Sequence, residues 1–137
     1  AENIGKLLLS PTRTYAPVFQ QILKKFRKKI SGIIHCTGGG QTKILHFVKN
    51  CRIIKDNMLE IPEIFNIIKQ QTNTSWKEMY EVFNMGHRME IYCNSSLANE
   101  IISISRNFNI EAQIIGKVEK SDKKELIIES KGIKIEY

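Results

Sequence analysis

No apolar run in this sequence of 137 residues approaches the ~20 residues that a membrane-spanning helix requires, so no membrane partner is expected. The first residues, Ala1-Glu2-Asn3, lack the basic-then-apolar layout of a secretory signal, and a cytoplasmic location is expected. Cysteine is scarce, odd in number and widely spaced, at Cys36, Cys51 and Cys93, which argues against a disulfide framework and suits reduced thiols. No Cys-x-x-Cys occurs, and adjacent strand residues such as His35 and Cys36 face opposite ways. His35, Cys36, His46 and Cys51 therefore make no zinc set, and no metal is expected in this chain. The dinucleotide fingerprint Gly-x-Gly-x-x-Gly and the phosphate loop Gly-x-x-x-x-Gly-Lys-Ser/Thr are also missing. No carboxylate cluster of the kind that holds magnesium stands out: Asp56, Glu60 and Glu63 fall on a turn and a helix start, and Asp122 with Glu125 falls in a hairpin.

What is present is a core-forming apolar fraction of 42% and an excess of positive charge, +7 overall, which fits one globular domain over residues 1–137. The excess lies in residues 1–70, which hold 12 Lys/Arg against 4 Asp/Glu. Its densest run is Lys24-Lys25-Phe26-Arg27-Lys28-Lys29. Ile, Lys and Asn, all read from A/T-rich codons, make up 49 of the 137 residues, so compositional drift supplies lysines without any polyanionic ligand. Charge alone meets one criterion of a nucleic-acid site, and no nucleic-acid partner is expected.

Pro11 and Pro17 bracket Thr12 to Ala16 and predict an extended leading segment over 1–16, in which Arg13 is either a surface charge or a phosphate clamp. From Pro17, the helical spacing of Val18, Ile22, Leu23, Phe26 and Ile30 predicts a helix with its lysines on the solvated face. Ile44, Leu45, Phe47 and Val48 predict a short apolar helix, and Arg52-Ile53-Ile54-Lys55 a strand ended by Asp56-Asn57. A helix starting at Ile61-Pro62 turns Ile64, Phe65, Ile67 and Ile68 inward, and a polar loop follows over Gln70 to Thr74. Ser75-Trp76-Lys77-Glu78 has capping-box spacing for a helix in which Trp76, Met79, Tyr80 and Phe83 pack. Asn84-Met85-Gly86 stops it. Met89 to Cys93 reads as a strand, Ser95 or Ser96 as the cap of a helix carrying Leu97, Ile101, Ile102 and Phe108. Ala112–Val118, Leu126–Ile128 and Ile133–Tyr137 complete the chain as a strand meander. The fold class is α/β (α+β), a mixed sheet of about six strands with helices packed against it.

Between these elements lies the most unusual stretch. Gly32-Ile33-Ile34 runs as a buried strand into His35-Cys36-Thr37-Gly38-Gly39-Gly40, and Gln41-Thr42-Lys43-Ile44-Leu45 follows as a short helix. Consecutive glycines at such a junction bare backbone N–H groups, an arrangement suited to a phosphate. The other reading is a tight strand-to-helix turn without a ligand. His35 is either a satisfied strand histidine or a donor at the substrate site, and Cys36 reads as a small inert hydrophobe.

Three motifs in order, Pro11-Thr12-Arg13-Thr14-Tyr15, His35 to Gly40, and Glu78-Met79-Tyr80-Glu81-Val82-Phe83-Asn84-Met85-Gly86, resemble the C-terminal half of the aminoimidazole ribonucleotide synthetase family, also called phosphoribosylformylglycinamidine cyclo-ligase. The resemblance covers nearly the whole chain. It implies that the parent is an ATP-dependent ring-forming ligase of purine biosynthesis: ATP activates the formyl oxygen of formylglycinamidine ribonucleotide as a phosphate ester, and an amidine nitrogen displaces phosphate. It also implies that ATP and Mg are held mostly by an N-terminal domain that precedes the similar segment in the family and has no counterpart here. The expected partners are then the nucleotide substrate and that missing N-terminal domain, within a homodimeric parent. The isolated chain is expected to carry no cofactor and to be inactive.

By the same resemblance Thr37, Gly38, Gly39 and Gly40 face an interdomain cleft and contact a phosphate of substrate or ATP, with His35, Arg13, Asn84, Gly86 and Arg88 nearby. No catalytic residue is assigned. Two departures stand out. Where the family has Asn-x-Gly-x-Gly-Met, this chain has Asn84-Met85-Gly86-His87-Arg88-Met89, so Arg88 either adds an anion contact or points to solvent. Where many members carry Asn and then Pro-Arg after the glycine loop, this chain has Ile44 and His46-Phe47. The rival readings are another member of the same ATP-binding superfamily, of thiamine-monophosphate kinase or hydrogenase maturation type, and a basic nucleic-acid module on Lys24 to Lys29. Steep weakening by salt distinguishes the last.

Overall fold

The structure, a computed structural model, describes residues 4–137. They gather into two compact units, one of residues 4–32 with 91–112 and one of residues 33–90 with 113–137. In the first unit, α1 (Ile4–Leu8) precedes α2 (Ala16–Phe26) and a single 3-10 turn, Arg27–Lys29. The leading segment is therefore helical over Ile4–Leu8 and irregular only from Ser10 to Tyr15, because each proline restricts just its own φ and the residue before it. Residues 1–3 of that segment lie outside the described residues. Pro17 sits in the first turn of α2, where its missing N–H costs nothing.

The second helix of this unit is α5 (Ser95–Asn107). Val18, Ile22 and Phe26 of α2 recur every four residues, as do Leu97 and Ile101 of α5, and these five side chains form one buried cluster. Ser105 continues the α5 row and is buried as well; its Oγ satisfies itself by donating to Ile101 O at 3.0 Å. The α5 cap is Asn94, whose side-chain oxygen accepts from Ser96 N–H, in place of the expected serines. Asn94 lies one residue earlier and has the extended backbone that a cap requires.

In strand order, β1 (Ile30–His35) pairs with β3 (Met89–Cys93) as a two-stranded sheet. Ile30 thus opens a strand and does not close α2. The second unit holds a four-stranded sheet, β4-β2-β5-β6, from β2 (Cys51–Lys55), β4 (Gly116–Lys120), β5 (Glu125–Ser130) and β6 (Ile133–Glu136). The six expected strands are present, divided between two sheets. The terminal strands are no meander: β2 inserts between β4 and β5, antiparallel to the first and parallel to the second, and only β5 and β6 form a hairpin. Ile53 lies opposite Val118 and Leu126, and Lys55 opposite Gly116 and Ile128. Leu126 and Ile128 are wholly buried and, with Ile53 and Ile135, centre the core of this unit.

Two helices, α3 (Glu63–Thr72) and α4 (Trp76–Val82), belong to the second unit. α3 runs through the expected loop as far as Thr72 and ends where Asn73 takes a left-handed conformation. α4 begins at its expected cap, Ser75, whose Oγ accepts from Glu78 N–H. Met79 and Tyr80 are buried, and Phe83 meets Phe65 with ring centroids 5.7 Å apart. Trp76 stacks at a tilt on Tyr80, with the ammonium groups of Lys69 and Lys131 each 5.0 Å from its ring.

The register of β4 on β2 leaves no room for a side chain at Gly116, whose Cβ would lie 1.8 Å from Ile54 O. Gly116→Ala is expected to destabilise the protein by at least ~2 kcal/mol in urea unfolding. Gly32→Ala, where a Cβ meets nothing within 4 Å, should be neutral or slightly stabilising. Equal effects of the two substitutions would contradict the register.

Candidate functional site

The glycine stretch departs from regular backbone at three consecutive residues, with φ of +59° at Gly38, +110° at Gly39 and +46° at Gly40. Side-chain-bearing residues adopt such angles singly and at a cost, so a run of three requires glycine. The three positions are not equivalent. A Cβ on Gly38 would meet nothing within 4 Å, whereas one on Gly40 would lie 2.5 Å from both Phe83 O and Tyr80 O. Gly40 is thus where the loop seats on the end of α4, and Gly38 is its open side. The turn is closed by Thr37 N–H donating to His35 O at 2.8 Å and by Thr42 N–H and Oγ1 donating to Gly39 O at 3.0 and 2.9 Å.

The short helix that follows is a 3-10 helix, Gly40–His46, and only part of it is apolar packing. Ile44 is buried, but Phe47, expected inside, is 67% exposed. The helix stops at His46, so Phe47 is its C-cap and lies beyond the face that Ile44 buries. Lys43 reaches back to Thr37 O at 2.7 Å, which places an ammonium group against the loop. His35 and Thr37 are exposed, with Nδ1 and Oγ1 3.5 Å apart, while Cys36 between them is buried. Burial, and then the nearby Glu90 carboxylate, pushes the Cys36 thiol up to about 12, so it stays protonated and unreactive.

Of the other anticipated residues, Asn84, Gly86 and Arg88 share the second unit with the loop. Met85 and Gly86 both have positive φ, and Gly86 N–H donates to Asn84 Oδ1 at 2.9 Å. A Cβ on Gly86 would lie 2.8 Å from Pro62 Cδ. Arg88 accepts from Cys36 N–H through its carbonyl at 2.9 Å, which fixes its backbone beside the strand that enters the loop, while its side chain is exposed. Arg13 belongs to the first unit, where Nη1 donates to Asn109 O. The basic run Lys24 to Lys29 is exposed apart from Phe26, and Lys25 pairs with Glu100.

Beneath the loop lies a polar cluster that the sequence reading does not anticipate. Lys55 Nζ, on the buried face of β2, donates to Gln41 O at 3.0 Å, Gln41 Oε1 at 2.9 Å and Glu90 Oε1 at 2.5 Å. Both charged side chains are almost inaccessible, at 2% and 3% exposure. Gln41 Nε2 donates in turn to Asn84 O at 2.7 Å. His87 is buried against the same turn and accepts from Leu59 N–H through Nε2 at 3.0 Å. One signal for this cluster exists in the sequence: strand alternation puts Lys55 on the face of Ile53, where a lysine requires an acidic partner. Among the described residues no group of three or more His, Cys, Asp or Glu side chains gathers as a metal site, and no helix is long and apolar enough to cross a membrane.

Comparison with known proteins gives a consistent result. The family model described as AIR synthase related protein, C-terminal domain, matches residues 1–129. The phosphoribosylformylglycinamidine cyclo-ligase of Syntrophus aciditrophicus (strain SB) is 37% identical over 123 residues, 88% of this chain and 35% of that protein. The protein of the same name from Methanococcus vannielii is 35% identical over 118 residues, covering 86% and 33%. The chain thus spans about a third of the length of the curated relatives it matches. Among solved structures, the crystal structure of E. coli HypE, a hydrogenase maturation protein, aligns with a TM-score of 0.61 at 15% identity, covering 88% of this chain and 37% of that one. That likeness is one of fold.

The buried histidine makes the turn sensitive to acid. Burial holds the His87 ring neutral, lowering it from the ordinary 6.5 to about 4, with Lys55 acting in the same direction and Glu90 opposing. Between those values the unfolded chain binds the proton that the folded chain refuses, so stability is full above about pH 6.5 and falls as the pH drops towards 4. The loss expected at pH 4 is at most on the order of 3 kcal/mol. In urea titrations at pH 7 and pH 4.5, His87→Gln, which keeps an acceptor for Leu59 N–H, should flatten this part of the pH dependence. An unchanged slope would mean that His87 does not govern it.

Proposed function

Because the chain belongs to the AIR synthase related protein, C-terminal domain, family, we propose that it is the C-terminal part of a phosphoribosylformylglycinamidine cyclo-ligase, and that its glycine loop contacts a phosphate of the nucleotide substrate or of ATP. The observation that carries this reading is the 31–37% identity to several proteins of that one name over 85–88% of the chain. The hydrogenase maturation alternative has only shared fold at 15% identity behind it.

In this reading the chain supplies anion contacts. The open side of Gly38 admits an oxygen against the backbone without a Cβ in the way. Lys43, already anchored on Thr37 O, adds positive charge at the loop. Exposed His35, Thr37 and Arg88 offer further donors, and the Arg88 fork suits two phosphate oxygens at once. Asn84 and Gly86 shape the turn from which Arg88 projects.

The donor set suits phosphate and does not suit Mg, which takes carboxylate oxygens, since no group of carboxylates gathers among the described residues. Mg and most contacts to ATP are assigned to the two-thirds of the relatives' length that this chain does not span. ATP, when bound, supplies the leaving group for ring closure. The chain by itself then binds phosphate weakly and does not turn over. The parent is a cytoplasmic homodimer whose partners are the nucleotide substrate and its own N-terminal domain, with no part for nucleic acid or membrane.

Titration of the chain with inorganic phosphate, followed by 15N NMR, should shift the amides of Gly38 to Gly40 and leave those of Lys24 to Lys29 unmoved. In a cyclo-ligase assay of the complete protein, Gly39→Val, which forces a β-branched residue to φ +110°, should reduce turnover by about 100-fold or more. Arg88→Lys keeps the charge but loses the fork, so KM should rise. Wild-type turnover in Gly39→Val with a folded protein would remove the loop from the site.

A further inference from the structure

The loop that this reading assigns to phosphate does not hold its shape through its own bonds alone. Gly40 is seated on the α4 carbonyls, but the next residue, Gln41, is gripped at every polar atom of its side chain and at its carbonyl. Lys55 makes two of those contacts, and Gln41 Nε2 passes the connection on to Asn84 O. Asn84 O also accepts from His87 N–H at 2.9 Å, and Asn84 Oδ1 accepts from Gly86 N–H. The third proton of the Lys55 ammonium goes to Glu90, two residues beyond Arg88 on β3. One ammonium therefore reaches both sides of the candidate site: the end of the glycine loop through Gln41, and the Arg88 segment through Glu90 and, by way of Gln41, the Asn84-Met85-Gly86 turn. An ammonium has three donors, and all three are committed.

We propose that Lys55 is a positioning residue which, acting through Gln41 and Glu90, sets the spacing of the glycine loop from the turn that carries Arg88 and thereby controls the loop's capacity to hold an anion. The inference deepens the phosphate reading above and depends on it only for the last clause. The alternative is that the ion pair merely fills space in the core. Buried ion pairs are often replaceable by apolar residues without loss of stability, provided both partners go together. Fold and loop geometry can therefore be separated.

The test compares the wild-type chain with Lys55→Met/Glu90→Leu, which removes both charges at similar volume, and with Gln41→Met, which leaves the ion pair and every apolar core residue in place. Amide hydrogen exchange of Thr42, bonded to Gly39 O, reports the loop; that of Gly86, bonded to Asn84 Oδ1, reports the turn; and amides of β2 and β5 report the sheet. Expected in both variants is exchange at Thr42 and Gly86 about tenfold faster or more with sheet protection retained, and an inorganic-phosphate Kd raised about tenfold at Gly38 to Gly40. Wild-type exchange at Thr42 and Gly86 in a folded variant overturns the positioning role. Wild-type chain without phosphate shifts at the loop would refute the phosphate reading instead, and the exchange comparison would still decide whether Lys55 positions the loop. Gln41→Met gives that decision even if the double variant fails to fold.

Discussion

A single ammonium group, that of Lys55, sits where water does not reach, and the arrangement around the glycine loop follows from the need to satisfy it. A buried lysine left without partners is prohibitively costly, so β2, β3 and the start of the 3-10 helix must present acceptors at fixed places: Glu90 Oε1, Gln41 O and Gln41 Oε1. The pair itself adds little net stability, because desolvation of two charges offsets most of their attraction. Stability in this unit comes instead from Leu126, Ile128, Ile53 and Met79, which are fully or almost fully buried. What the charges contribute is uniqueness of geometry. Apolar contacts tolerate small shifts, whereas three hydrogen bonds to one nitrogen do not.

The glycines answer a different constraint. Three successive positive φ values take the chain from β1 into the 3-10 helix within a few residues, and each glycine has its own reason to lack a side chain. At Gly40 the reason is steric, since α4 carbonyls occupy the space; at Gly38 it is conformational, since the space beside it is empty. A loop built only to turn a corner needs the first kind. Openness at Gly38, beside an anchored Lys43 and the exposed Thr37 and His35, is what a ligand-facing backbone requires.

Local signals in the sequence led to local structure. Ser75 capped its helix, Met85 and Gly86 turned left-handed, and Val18, Ile22 and Phe26 faced one way, each through interactions within a few residues. Pairing between distant strands was not legible: alternation marks a strand but not its neighbours, so nothing in Ala112 to Tyr137 announced that β2 would enter between β4 and β5. Phe47 looked like core because its apolarity counts without regard to where the helix ends, and the helix stops one residue before it. At the site, the glycine loop and the Asn84 turn stood out because unusual backbone demands unusual residues. Lys55 and Glu90 did not, because a charged residue in a strand reads as its solvated face unless the phase of the alternation is followed through Ile53.

The composition of the candidate site is lopsided, with donors on its exposed side and a carboxylate beneath. A site for a metal-bound phosphate needs two kinds of partner: donors that take up negative charge, and acidic residues that hold the accompanying metal. Placed together in one rigid loop, these would neutralise each other as ion pairs before any ligand arrived. Here the loop carries backbone N–H groups, Lys43 and nearby Arg88, and the buried carboxylate of Glu90 is paired with Lys55. The buried ion pair thus has a second consequence beyond geometry: the Glu90 carboxylate, paired with Lys55, is not left to compete with an incoming anion for the donors of the loop.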